Sequence, residues 1–207
     1  MINKIVNYLD ELYPNPTSEL NYTKDYEFLI AVMLSAHSTD KGVNKVTEVL
    51  FKKYRTLELL ANADIEDIKQ IIKPNGTYQR KASYIHSITN KLLNIGGFVP
   101  NDRKFLESLN GIGRKTTNVV LSELYGLECI AVDTHVTRVS IRLGLAKHND
   151  NVLTIEKKLT EKFKSYSLKK LHNQLVLFGR YHCKAKMPEC ENCQLKDICK
   201  YRKKTKI

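Results

Sequence analysis

Three groups of residues in this 207-residue chain have types and spacings that could do chemistry. The first is a set of four thiols, Cys183, Cys190, Cys193 and Cys199, in the pattern C-x6-C-x2-C-x5-C. Four thiolates are the ligand number of tetrahedral zinc and of a four-iron cluster alike. Zinc folds more often use two C-x2-C knuckles, and only Cys190 and Cys193 have that form, so the spacing leans toward iron-sulfur. Disulfides are not expected of a chain in a reducing compartment. Cys129 stands apart after an apolar helix end and reads as a small core residue.

The second group is Gly111-Ile112-Gly113-Arg114-Lys115-Thr116. Glycines let backbone approach a ligand closely, and the N–H groups that open the next helix are anion donors, so a phosphate is the natural occupant. A nucleotide P-loop is excluded, because the G-x-x-x-x-G-K-[ST] spacing is absent and no strand is expected before it. An ordinary helix-helix turn accounts for the same residues, and the spacing does not choose between the two. Lys115 is a candidate nucleophile. A lysine amine at its ordinary pKa of ~10.4 is protonated at neutral pH and cannot attack carbon. Bringing such a group to about 7 takes roughly 4 to 5 kcal/mol, whereas an exposed helix terminus contributes ~0.3 to 1 kcal/mol. Desolvation must supply most of the difference, so a working Lys115 is expected to be substantially buried, above all with substrate bound.

The third is Asp133, which stands where an N-cap belongs ahead of Val136, Val139 and Leu143. It reads as a helix cap, as a carboxylate for developing positive charge, or as both, since helix N–H bonds hold a capping carboxylate ionised and in place. His37, His86, His135, His148, His172 and His182 form no H-E-x-x-H or paired spacing, and their default reading is structural or surface.

The elements that must position these groups read as helices. Ile2, Ile5, Val6, Leu9 and Leu12 make one apolar stripe that ends before Pro14 and Pro16. Residues 28–34 are apolar without interruption, which suits a helix buried on most sides. Further stripes lie at Val43, Val46 and Leu50, at Ile65, Ile68 and Ile72, and at Ala82, Ile85, Ile88, Leu92 and Leu93, with Pro74-Asn75-Gly76 and Gly96-Gly97 as punctuation. Phe105, Leu106 and Leu109 predict a short helix, and residues 114–125 a second, closed by Gly126, so that the glycine turn makes a hairpin. Two more helices are expected near 155–163 and 171–178. No run shows sustained period-two alternation, and the fold class read here is all-α.

Composition bounds the function. Hydrophobic residues are 42% and charged residues 27%, which excludes collagen-like, low-complexity and disordered classes. Lys and Arg number 34 against 22 Asp and Glu, and the resulting +12 favours a polyanionic partner. The N-terminus lacks the apolar core of a secretory signal and no stretch approaches ~18 apolar residues, so the chain is expected in the cytoplasm with no membrane association. The basic tail, with Lys200, Arg202, Lys203, Lys204 and Lys206, reads as a solvated end able to attract phosphates nonspecifically.

Taken together, Leu109-Asn110-Gly111-Ile112-Gly113-Arg114-Lys115-Thr116, Ala131-Val132-Asp133-Thr134-His135-Val136-Thr137-Arg138 and the cysteine quartet closely resemble the endonuclease III family of helix-hairpin-helix DNA glycosylases. The resemblance runs from Glu19-Leu20-Asn21 and Leu34-Ser35-Ala36 through Lys81-Ala82 to Phe178-Gly179-Arg180-Tyr181. It implies a two-lobed fold: a six-helix barrel over residues 18–127, and a lobe joining 1–17 to 128–207, with DNA in the cleft between. It implies that Gly111, Ile112, Gly113, Arg114 and Thr116 grip phosphate, that Lys115 is the nucleophile and Asp133 the catalytic carboxylate. The four cysteines would hold a [4Fe-4S] cluster that shapes a DNA-contacting loop and takes no part in bond breaking.

The implied activity is base excision repair by a bifunctional DNA glycosylase and abasic-site lyase. A monomer would act on double-stranded DNA carrying oxidised pyrimidines or abasic sites. The family usually has glutamine where this chain has His37, leucine at Thr77 and proline at Asn110; His37 and Thr77 match positions that fill the gap left by a flipped nucleotide. Two alternatives stand beside this reading. One is a noncatalytic DNA-binding module with a cysteine-bound structural metal. The other is a monofunctional mismatch glycosylase, although those relatives lack a lysine at this position.

Overall fold

The structure, a computed structural model, describes residues 1–201. Arg202, Lys203, Lys204 and Lys206 of the basic tail lie outside the described residues. Among the described residues every regular element is a helix, as the apolar periodicities require. None of these helices is long and apolar enough to cross a membrane. The chain divides into two compact units, one over Ser18–Tyr125 and the other joining Met1–Thr17 to the chain from Gly126 onward.

The continuous unit contains α2 (Asp25–Leu34), α3 (Asp40–Lys53), α4 (Leu57–Ala61), α5 (Ile65–Ile72), α6 (Tyr78–Leu93), α7 (Arg103–Glu107) and α8 (Arg114–Tyr125). Every residue of α2 from Tyr26 to Leu34 is buried, because α3, α6 and α8 pack around it. The apolar run at 28–34 therefore reports a central helix. Oxygen side chains set the starts of four of these helices: Thr39, Thr56, Asp64 and Asp102 each accept a backbone N–H from the first turn they precede. α4 was not anticipated from the sequence. Five residues span little more than one turn, too short for an apolar period to register, and Thr56 capping Leu59 N is its visible signal.

The discontinuous unit contains α1 (Ile2–Leu12), α9 (Thr134–Arg142), α10 (Val152–Lys162) and α11 (Leu168–Tyr181). Ile5 and Leu9 of α1 are fully buried in one core with Val136, Val139, Leu175 and Phe178, so the N-terminal stripe finds its partners far along the chain. α9 and α11 pack closely because residue 179 is glycine: a β-carbon there would lie 2.8 Å from His135 Cβ. Asn151 caps α10 and Ser167 caps α11.

Candidate functional site

The hairpin between α7 and α8 forms as the glycine spacing requires. Leu109 and Ile112 are buried and anchor the turn, and Ile112 N donates to Leu109 O at 3.1 Å. Gly111 has φ +80°, a left-handed conformation, and a β-carbon on it would stand 2.5 Å from Tyr84 Cδ2. Both the dihedral and the space demand glycine. Gly113 differs. Nothing lies within 4 Å of where its β-carbon would be, and its carbonyl accepts from Thr117 N at 2.9 Å in the first turn of α8. No intramolecular packing calls for glycine there, so its bare backbone leaves room for a ligand arriving from solvent at a helix N-terminus. Arg114 and Lys115 are exposed and Thr116 is half-buried.

The substantial burial expected of Lys115 is not found: its side chain lies at the surface of the first turn of α8. The reason is that the turn it occupies is the open end of the hairpin, where chain packs against Leu109, Ile112 and Thr117 but not against residue 115.

His37 follows α2 and Thr77 precedes α6, both in the unit that holds the hairpin. Both are exposed and both have φ 59°, the left-handed region. For a β-branched residue such as Thr77 this is costly, and each such residue stores about 1 to 3 kcal/mol of strain. Thr77 occupies the N-cap position of α6 without capping it; its hydroxyl donates instead to Gly76 O at 2.6 Å.

In the other unit Asp133 caps α9. Its Oδ1 accepts Val136 N at 2.7 Å, with extended backbone (φ −103°, ψ −171°). The side chain is half-buried and lines an open concavity with Val132, Thr134, Thr137 and Arg138. α9 then ties Asp133 to the cysteine segment. Arg138 Nε donates to Cys183 O at 3.0 Å and its Nη2 to Gly179 O at 2.6 Å. One turn on, Arg142, only 8% exposed, donates through Nη1 to Lys184 O at 2.7 Å and Cys183 Sγ at 3.3 Å, and through Nη2 to Ala185 O at 3.2 Å. Its guanidinium also stands 4.0 Å from the Tyr201 ring centre.

Cys183, Cys190, Cys193 and Cys199 line one pocket, floored by Leu143 and Phe178. Among the described residues no three His, Cys, Asp or Glu side chains converge as a single-ion site. Burial pushes the Cys183 thiol up, with the Arg142 guanidinium opposing, and burial pushes Cys193 up as well. Thiols raised in this way need positive charge beside them before they ionise, and a metal centre supplies it. An all-sulfur donor set arranged around a pocket fits a polynuclear iron-sulfur group.

Sequence reasoning missed Tyr84, which shapes Gly111, and Lys81, which is described below. It also gave no role to Arg138 and Arg142, whose i,i+4 spacing on α9 was the available signal.

Comparison with known proteins finds relatives over nearly the whole chain. A family model described as "HhH-GPD superfamily base excision DNA repair protein" matches residues 30–165. The chain is 42% identical to endonuclease III of Bacillus subtilis (strain 168) over 193 residues, 93% of this chain and 88% of that one. It is likewise 42% identical to endonuclease III of Escherichia coli (strain K12) over 205 residues, 99% of this chain and 97% of the other. A solved structure of a trapped endonuclease III-DNA covalent intermediate superposes with a TM-score of 0.93 at 42% identity, covering 98% of this chain and 96% of that one.

Proposed function

Since the chain belongs to the HhH-GPD superfamily of base excision DNA repair proteins and, within it, to the endonuclease III family, we propose that Lys115 is the nucleophile of a bifunctional glycosylase and lyase acting on oxidised pyrimidines and abasic sites in double-stranded DNA. The observation that carries this reading is the position of Lys115: exposed in the first turn of α8, two residues beyond the open backbone of Gly113. A phosphate gripped by the hairpin N–H groups brings the DNA backbone to the same helix end as the amine.

The steps are those that the family resemblance implies. The damaged nucleotide rotates out of the duplex at a cost of a few kcal/mol, smallest for damaged pairs. His37 and Thr77 fill the space it leaves. Lys115 is exposed in the free protein, so docked DNA supplies the desolvation that favours the free amine. Its nitrogen attacks C1′ as the base departs, the sugar ring opens to a Schiff base, and loss of a C2′ proton breaks the 3′ C–O bond by β-elimination. Asp133, held in place by its cap bond from Val136 N, stabilises cationic character at the sugar or assists proton transfer.

In this reading residues 18–127 are the barrel domain with the hairpin, and residues 1–17 with 128–207 are the cluster domain. Cys183, Cys190, Cys193 and Cys199 would hold a [4Fe-4S] cluster, which when bound shapes the loop they belong to. The enzyme acts as a cytoplasmic monomer.

Borohydride trapping on a duplex with one abasic site tests the assignment. A covalent adduct that disappears in Lys115→Ala supports it. Undiminished trapping in that variant removes Lys115 from the chemistry, and absence of any adduct in the native chain leaves only a DNA-binding module.

A further inference from the structure

Lys81 lies in the first turns of α6 and is buried, only 4% exposed, although nothing in the reaction described above uses it. Its Nζ donates to Leu34 O at 2.9 Å, to Ala36 O at 2.7 Å and to Asn75 Oδ1. An ammonium has three N–H donors, and all three are spent on these acceptors. Burial lowers the pKa of this amine, and among the described residues its partners are two backbone carbonyls and an amide, with no carboxylate.

The positions of the acceptors are informative. Leu34 and Ala36 stand three and one residues before His37, at the turn leaving α2. Asn75 stands two residues before Thr77, at the turn entering α6. These two turns hold the non-glycine residues with left-handed backbone in this unit, His37 and Thr77. One buried cation therefore fastens both strained turns from beneath, across separations of 45 and 47 residues on one side and six on the other. Asn75 supports the same view. It is buried, and its Nδ2 finds no acceptor, so the position tolerates an unsatisfied donor while Oδ1 serves Lys81.

We infer that Lys81 is a positioning residue: its ammonium, with Asn75, holds the two turns so that His37 and Thr77 enter the gap in the duplex together. The inference rests on the reading of His37 and Thr77 as gap-filling residues. An ammonium suits the task because no neutral side chain of that length donates three hydrogen bonds. Without the staple each turn is free to relax toward unstrained backbone, which withdraws the two side chains.

The test uses the full chain and a duplex with a tetrahydrofuran abasic analogue opposite 2-aminopurine, whose fluorescence rises when the base is unstacked. The analogue cannot form a Schiff base, so the signal reports gap filling alone, and its amplitude at saturating protein is independent of affinity. Lys81→Met, with native helical content by circular dichroism, is expected to lose at least threefold of the amplitude, and Asn75→Ala a smaller part. His37→Ala and Thr77→Ala are expected to reduce it as well. If His37→Ala or Thr77→Ala lowers the signal while folded Lys81→Met keeps it, the staple is overturned and the gap-filling reading stands. If neither His37→Ala nor Thr77→Ala changes it, the underlying reading fails. Should Lys81→Met not fold, Asn75→Ala decides: an unchanged amplitude overturns the inference.

Discussion

Gly111 and Tyr84 compete for one space: a β-carbon on Gly111 would stand 2.5 Å from Tyr84 Cδ2 and 3.2 Å from Cγ, too near the root of the ring for the side chain to swing clear. Gly111→Ala meets that clash and a left-handed φ of +80°. The dihedral costs about 1 to 2 kcal/mol and the overpacking about 1 to 3 kcal/mol. The thermal midpoint should fall by roughly 5 °C or more, and adding Tyr84→Ala should restore only the part due to the clash. Gly113→Ala meets open space and should leave the midpoint within about 1 °C while weakening binding to an abasic duplex. Equal effects of the two alanines on stability would contradict this division of roles.

In the proposed mechanism Asp133 combines a structural and a chemical duty, which two substitutions separate. Asparagine is as good an N-cap as aspartate, so Asp133→Asn should keep α9 intact and the melting temperature near native, yet lower single-turnover glycosylase rates about 100-fold or more through loss of charge. Asp133→Ala should add a loss of about 1 kcal/mol in stability. Native rates in a folded Asp133→Asn would reduce this residue to a cap.

Arg142 closes the cysteine loop through carbonyls of Lys184 and Ala185 as well as Cys183 Sγ. Arg142→Leu strands these acceptors, at about 1 to 3 kcal/mol for each one left buried and unpaired. Protein purified with this change should carry less iron and sulfide per chain than native and should lose its iron faster to a chelator. Matching iron content and release would show that the guanidinium is dispensable to the site.

Asp10 predicts an acid sensitivity. Lys170 Nζ at 2.6 Å and Gln174 Nε2 at 2.7 Å hold its carboxyl below the usual aspartate range. The folded chain thus binds fewer protons there than the unfolded chain. This contribution is fully present above the ordinary aspartate pKa and is lost as pH falls through the lower folded value. Comparing native and Asp10→Asn chains from pH 6 to pH 2, the gap in melting temperature should be open at pH 6 and narrow toward the acid end. A constant gap would show that the α1–α11 link does not depend on this charge.

What the sequence disclosed follows from distance along the chain. The Asp133 cap, the Gly111 turn and the central helix at 28–34 are local, each set by neighbours within one or two turns, and periodicity or spacing exposes them. The Lys81 staple was invisible because its acceptors come from segments whose meeting depends on how α2 and α6 pack. Exposure of Lys115 was misjudged for a different reason. Burial was expected above all with substrate bound, whereas the first turn of α8 by itself leaves residue 115 at the surface.

The pairing of α1 with α11 also fixes an order of events during synthesis. Ile5 and Leu9 leave the ribosome about 170 residues before their partners Leu175 and Phe178. The nascent N-terminal helix must wait with its apolar stripe uncovered while the Ser18–Tyr125 segment closes on contacts of its own. The unit that bears Asp133 and the four cysteines is thus the last to assemble.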